Sequence, residues 1–218
     1  VAFDLSAACS GFLFALSTAQ AYIKGGIYQK ALIIGAETMS KMIDWSDRST
    51  CVLFGDGAGA AVVSAEETGV LELVQKSNGA GKGVLSCKAR ETRNLLNHES
   101  ETKEYLYMEG QPVFKFAVKT VPECVEEVLK KAEVKKEEIR YYILHQANSR
   151  IIQSVAKRLK EPEEKFQMNL SLYGNTSAAS IPILLDEMNR NGMLNRGDKL
   201  VLSGFGAGLT WGAVLLEW

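Results

Sequence analysis

No two cysteines stand as a CxxC pair, neither charge is in useful excess, and no apolar run approaches the length of a membrane span. Each absence removes a class of protein. Cys9, Cys51, Cys87 and Cys124 are too scattered for a zinc knuckle or a disulfide framework. Reduced thiols in a cytoplasmic protein, with no metal, are therefore expected. A net charge of −1 provides no global field for nucleic acid or an anionic membrane, so any basic site must be local. A spanning helix needs about 20 apolar residues, which this chain never assembles. Histidine is scarce, with only His98 and His145. Neither an initiator methionine nor a signal peptide precedes "VAFDL", which reads as a strand, so a preceding segment is expected to be lacking.

The 218 residues are 46% hydrophobic and 23% charged, enough for one large globular domain or two smaller ones. Strand-like runs recur: "VAFDL", "KALIIGAE", "CVLFGDGAGAAVVSA", "GVLELVQKS", "RYYILHQ", "FQMNLS" and "KLVLSGFGAGLTWGAVLLEW". Helical spacing lies between them, at 10–24, 112–133, 148–160 and 177–191. The alternation predicts an α/β protein with a mixed sheet. The polar stretch 88–104, which includes His98, reads as a solvated excursion separating residues 1–105 from 106–218. Each part carries a glycine-rich ribbon, which suggests two similar halves. The helix at 10–24 is apolar on nearly every face, the mark of a helix buried between layers.

Three polar residues are predicted at strand-to-helix junctions, the edge at which α/β sheets build sites. Cys9 precedes the buried helix, whose positive N-terminal end favours a thiolate nucleophile. His145 ends the strand "RYYIL" and Asn175 sits in "YGNTSAAS". Each has a bland alternative: a core cysteine, a buried histidine bonded to a carbonyl, an N-cap asparagine. Their joint occurrence favours a Cys/His/Asn site. The turn "GFGAGLTWG" offers amides for an oxyanion hole, with a tight hairpin as the alternative. Dinucleotide binding is not expected, because no strand–GxGxxG–helix occurs, and "GAGKGV" lacks the spacing of a phosphate loop. The helix at 148–160 pairs an apolar stripe (Ile151, Ile152, Val155, Leu159) with Arg150 and Lys157 opposite. Together with Lys115, Lys119 and Arg158 these could receive an acidic partner, or simply be a solvated face.

"DLSAACSGF", "DRSTCVLFGDGAGAAVV", "LHQANSRII", "YGNTSAASIP" and "GFGAGLTWGAVLLEW" together resemble the β-ketoacyl-acyl-carrier-protein synthase III family of condensing enzymes. The resemblance implies the thiolase-like fold, five αβαβα layers in two similar halves, 1–105 with the cysteine and 106–218 with the histidine and asparagine. It implies decarboxylative Claisen condensation of a short acyl-CoA with malonyl-acyl-carrier protein, the start of type II fatty acid synthesis. No cofactor is implied, acyl-CoA being a substrate. Cys9 would be acylated, and His145 and Asn175 would hold the malonyl thioester carbonyl. The amides of Cys9 and Ala207 would form the oxyanion hole. Arg48, Gly110, Phe114, Ala147, Asn148 and Phe205 would line the coenzyme A and substrate tunnel. Gln146, Ala147, Asn148, Ser149, Arg150, Lys115 and Lys157 would receive the carrier protein. A homodimer with no nucleic-acid or membrane partner is implied. The family also carries an earlier α/β segment, so this chain alone is expected not to condense. Alternatives are a thiolase-fold acyltransferase of secondary metabolism, a carrier-protein-binding module without activity, and a papain-like protease, which "AACSGF" argues against.

Overall fold

The structure is a computed structural model and describes residues 1–87 and 105–218. In chain order the helices and strands are α1 (Gly11–Lys24), β1 (Lys30–Glu37), β2 (Gly57–Ser64), β3 (Val70–Ser77), β4 (Leu85–Cys87), β5 (Leu106–Met108), α2 (Gly110–Lys131), β6 (Ile139–Leu144), α3 (Ser149–Leu159), α4 (Leu170–Tyr173), α5 (Ser180–Arg190), β7 (Lys199–Gly206) and β8 (Thr210–Glu217).

The central sheet runs β3-β8-β7-β6, with β6 parallel to β7 and the other pairs antiparallel. It crosses residue 105, taking β3 from before that point and the remaining strands from after it. Strand β7, "KLVLSGFG", is hydrogen-bonded on both edges and buried on both faces, which explains its nearly continuous apolar character. On one side lies α2, with Val113, Ala117, Val121, Cys124, Val125 and Val128 buried at helical spacing and α3 packed beside it. On the other side are α1 and α5, and beyond them the ribbon β1-β2. The small residues of "GAGAAVV" in β2 let α5 lie close against that strand. The described residues thus hold four layers, helix–sheet–helix–sheet. The outward face of the ribbon leaves Leu32, Ile34 and Val62 exposed.

Two expected strands do not form. Residues 1–7 carry no regular structure, because no described strand lies beside them to accept a ladder of backbone bonds. "FQMNLS" becomes a loop entering α4: Phe166 stacks on Tyr142 with ring centroids 4.7 Å apart, and the Asn169 N–H donates to Gln146 Oε1. Helix α1 is buried along Gly11, Phe12, Leu13, Leu16 and Ala19, and its other side borders an open cavity. The excursion at 88–104, with His98, lies outside the described residues.

Candidate active site

Glycines in β7 bring two of the expected site residues together. A Cβ on Gly204 would stand 3.4 Å from His145 Cβ and 3.7 Å from the Cys9 carbonyl oxygen. One on Gly206 would stand 2.8 Å from Cys9 N. Only bare backbone lets both residues lie this near the strand. The turn carrying Cys9 is tied to β8 by Ser10 Oγ donating to the Thr210 carbonyl (3.1 Å) and Thr210 Oγ1 donating to that of Ala7 (3.2 Å). Ala8, just before the cysteine, is held at φ 47°, a left-handed conformation that a non-glycine residue adopts at a cost.

Cys9, His145, Asn175, Phe205 and Ala207 all border one open cavity of about 1280 Å³. Gly110, Phe114, Ala147 and Asn148 line the same space. Arg48 does not. It is exposed on the loop after β1, and its neighbour Ser49 reaches the wall instead, because the loop folds back through Ser49 and Thr50 bonds to the Asp47 carboxylate. Asn148 is also the N-cap of α3, its Oδ1 accepting from the Arg150 N–H at 2.9 Å.

The junctions differ from the sequence reading. His145 does follow a strand, β6, but Cys9 follows none among the described residues. Asn175 stands between α4 and α5, in a short bridge to Phe54. Its Oδ1 accepts from the Ser177 N–H at 2.9 Å, leaving Nδ2 as the donor that its carboxamide offers.

His145 is only 2% exposed, and desolvation lowers its pKa to about 4, so the ring is neutral. Its Nδ1 lies 2.7 Å from Ser180 Oγ, which already accepts from the Gln146 N–H at 3.3 Å. A buried hydroxyl hydrogen needs an acceptor, and Nδ1 is the one within reach. Ser180 therefore donates to Nδ1, which puts the ring proton on Nε2 and makes His145 a hydrogen-bond donor.

The thiolate expected of Cys9 is not the resting state. Cys9 is half-buried at the cavity wall, and the loss of water around its sulfur pushes the thiol up to about 11, outweighing the lowering influence of the Ser177 hydroxyl, while the Glu37 carboxylate raises it further. The helix end alone does not offset desolvation.

Of the expected carrier-protein residues, Arg150, Lys157 and Lys115 are exposed and Ser149 is half-buried in the first turn of α3. Gln146 departs from that reading. At 1% exposure, its Nε2 donates to the carbonyls of Leu144 and Gln167 and its Oε1 accepts from the Asn169 N–H. With every polar atom spent inside, the side chain braces the core. Sequence reasoning missed Ser180, Ser177 and Glu37. A carboxylate closing the apolar strand "ALIIGAE" was the one available signal.

Comparison with known proteins places this geometry. Residues 3–79 match the family model described as 3-oxoacyl-[acyl-carrier-protein (ACP)] synthase III, and residues 129–218 match its C-terminal counterpart. A beta-ketoacyl-[acyl-carrier-protein] synthase III from Clostridium botulinum (strain Okra) is 51% identical over 219 residues, covering 99% of this chain and 67% of its own length. That of Clostridium novyi is 52% identical over 218 residues, with the same coverage. The chain thus spans about two thirds of the length of these relatives. Among solved structures, the synthase III of Aquifex aeolicus superposes with a TM-score of 0.90 at 46% identity, over 99% of this chain and 67% of that one. A priming β-ketosynthase of the R1128 polyketide pathway reaches 0.88 at 37% identity, over 99% and 65%. With its thiolase-like α/β fold, the chain belongs to the β-ketoacyl-acyl-carrier-protein synthase III family, acyltransferases that initiate fatty acid synthesis.

Proposed function

We propose that Cys9 is the nucleophile of this condensation and that His145 and Asn175 are its carbonyl-binding donors. Cys9 sulfur attacks the acyl-CoA carbonyl, its new S–C bond replacing the thioester bond to coenzyme A. Malonyl-carrier protein then loses carbon dioxide. The released electron pair becomes an enolate whose oxygen lies between His145 Nε2–H and Asn175 Nδ2–H. The enolate carbon attacks the acyl-Cys9 carbonyl, the backbone N–H groups of Cys9 and Ala207 hold the tetrahedral oxyanion, and the Cys9 thiolate departs. A neutral donor suits this work, since it stabilises negative charge without protonating the carbon that must attack. The reading rests on one observation: the three side chains border a single cavity, with the Ser180 hydroxyl 2.7 Å from His145 Nδ1 on the side away from Nε2.

The test is acetyl transfer from acetyl-CoA, followed by mass analysis of the Cys9 peptide. Cys9→Ala should lose the adduct. His145→Ala and Asn175→Ala should keep it but lose decarboxylation of malonyl-carrier protein. Acetylation at another residue, or condensation by Cys9→Ala, would refute the assignment.

Acyl-CoA enters along Gly110, Phe114, Ala147 and Asn148, and the acidic carrier protein docks on Arg150, Lys157 and Lys115 of α3 and α2. Arg150→Glu should weaken carrier-protein binding, and the loss should shrink as salt rises. The apolar outer face of the ribbon, with Leu32, Ile34 and Val62 exposed, supports a homodimer. Sedimentation velocity at micromolar concentration checks it, and a monomer there would count against it. No helix of the described residues is long and apolar enough to cross a membrane; a cytoplasmic location is inferred from the family's part in fatty acid synthesis.

A further inference from the structure

Between the turn that carries Cys9 and the hairpin that carries Ala207 stands one hydroxyl. Thr210 opens β8 directly opposite Gly206 in the β7–β8 ladder. The Cys9 backbone nitrogen lies against that same glycine, where a Cβ would meet it at 2.8 Å. Thr210 Oγ1 is 3.2 Å from the Ala7 carbonyl oxygen and 3.1 Å from that of Ala207. A hydroxyl carries one hydrogen, so the two carbonyls share it in a three-centre bond. One of them stands two residues before Cys9, and the other belongs to Ala207 itself. Ser10 is fully buried and holds the threonine in place. Its Oγ donates to the Thr210 carbonyl at 3.1 Å and lies 3.2 Å from Thr210 Oγ1. The Ala7 carbonyl also accepts the Ser10 N–H at 3.1 Å, which closes the turn around Cys9. Ala8, inside that turn, has a left-handed φ of 47°, a conformation that persists only where its surroundings impose it.

We propose that Thr210 is a positioning residue for this reaction, its hydroxyl setting the distance between the Cys9 and Ala207 backbone N–H groups. The inference rests on the reading in which those two amides hold the tetrahedral oxyanion. Such donors work within a narrow range, about 2.7–3.1 Å from the oxygen they stabilise. Here they sit on two pieces of chain that are far apart in sequence, the turn entering α1 and the tip of the β7–β8 hairpin. The hydroxyl joins those pieces through their carbonyls and occupies neither N–H.

Two reactions of one sulfur separate positioning from general support of the fold. Acyl transfer from acetyl-CoA builds an oxyanion on the attacked carbonyl. Alkylation by iodoacetamide displaces iodide from a methylene carbon and builds none. The full chain and its variants are assayed for both, following the Cys9 peptide by mass spectrometry across a range of acetyl-CoA concentrations. Thr210→Val, which keeps the branched shape and removes the hydroxyl, should lower the maximal acylation rate by about tenfold to a hundredfold. Its half-saturating acetyl-CoA concentration and its iodoacetamide rate should stay within about twofold of the unsubstituted chain, as for an interaction realised only in the transition state. Thr210→Ser, which keeps the hydroxyl, should recover most of the acylation rate. Should Thr210→Val not fold, Thr210→Ala against Thr210→Ser makes the same comparison. Thr210→Val acylating as fast as the unsubstituted chain overturns the inference. An equal loss in both reactions overturns it too, because it marks a turn held for stability alone. An unsubstituted chain that takes the acetyl group on another residue instead refutes Cys9 as the nucleophile, and that result falls on the underlying reading before any variant is compared.

Discussion

A single methyl group placed on Gly206 should disable the nucleophile without touching it chemically. An alanine Cβ there would meet Cys9 N at 2.8 Å, Cys9 Cβ at 3.2 Å and Cys9 Cα at 3.3 Å. Comfortable contact between such atoms begins near 3.5 Å, so something must move by about half an ångström or more. Strand β7 cannot yield easily, being hydrogen-bonded to β6 and β8 and buried on both faces. The turn holding Cys9 is the softer side, and its displacement pulls on the Ser10 and Thr210 hydrogen bonds that anchor it. Overpacking of this kind costs about 1–3 kcal/mol. In a chain of this size that lowers Tm by about 2–4 °C per kcal/mol. The nucleophile shifts relative to the amides of Cys9 and Ala207, and misplacement approaching an ångström costs about a hundredfold in rate. Thermal unfolding and acetyl transfer from acetyl-CoA to Cys9 measure the two effects. Gly83→Ala is the control, since a Cβ there meets nothing within 4 Å. A Gly206→Ala protein that melts and acylates like the Gly83→Ala control would refute the packing argument.

Two further outcomes follow from buried polar groups. His145 titrates near 4 when folded against 6.5 unfolded, so between those values the unfolded chain binds the extra proton and stability falls as pH falls. The loss from pH 7 to below 4 attributable to this ring is about 3 kcal/mol, and melts across that range should be flatter for His145→Gln than for the unsubstituted chain; equal slopes would contradict the burial argument. Tyr142 is fully buried with a hydroxyl that finds no hydrogen-bond partner among the described residues, so Tyr142→Phe should gain about 1 kcal/mol and raise Tm by a few degrees in calorimetry, whereas a drop in Tm would reveal a partner for that hydroxyl.

Local patterns were legible in the sequence to the extent that the physics is local. "KALIIGAE" is β1 residue for residue, the helix at 10–24 starts one residue late, and the amphipathic stripe of α3 is buried as its spacing requires. Those elements are specified by hydrophobic period, which neighbours along the chain carry. Residues 1–7 and "FQMNLS" have strand-like composition, but a strand also needs a partner edge, and composition does not say whether one exists. The site divides in the same way. Cys9, His145 and Asn175 stand out by residue type at breaks between elements. Glu37 and Ser177 are 140 positions apart, and only the packing of β1 against the turn before α5 brings them together. The protonation state of Cys9 was misjudged because the helix end is a local cause, whereas desolvation is supplied by the whole surrounding fold.

Burial lifts the Cys9 thiol to about 11 and drops His145 to about 4, so one cause leaves both groups uncharged at neutral pH. A thiolate–imidazolium pair, the arrangement of a papain-like protease, cannot form across that gap. It would need the histidine to be the stronger base, and here the thiolate is stronger by several pKa units. The two arrangements differ in how they treat a charged electrophile. A resting ion pair carries an imidazolium that attracts iodoacetate, so iodoacetate rivals or outpaces iodoacetamide there. A neutral site flanked by the Glu37 carboxylate repels it. Iodoacetamide should therefore modify Cys9 faster than iodoacetate by about tenfold or more, beyond the ratio found for a free cysteine in the same buffer. The margin should narrow in Glu37→Gln, which removes the repelling charge. An iodoacetate preference at Cys9 would mean that the pair is ionised after all, with the proton on His145.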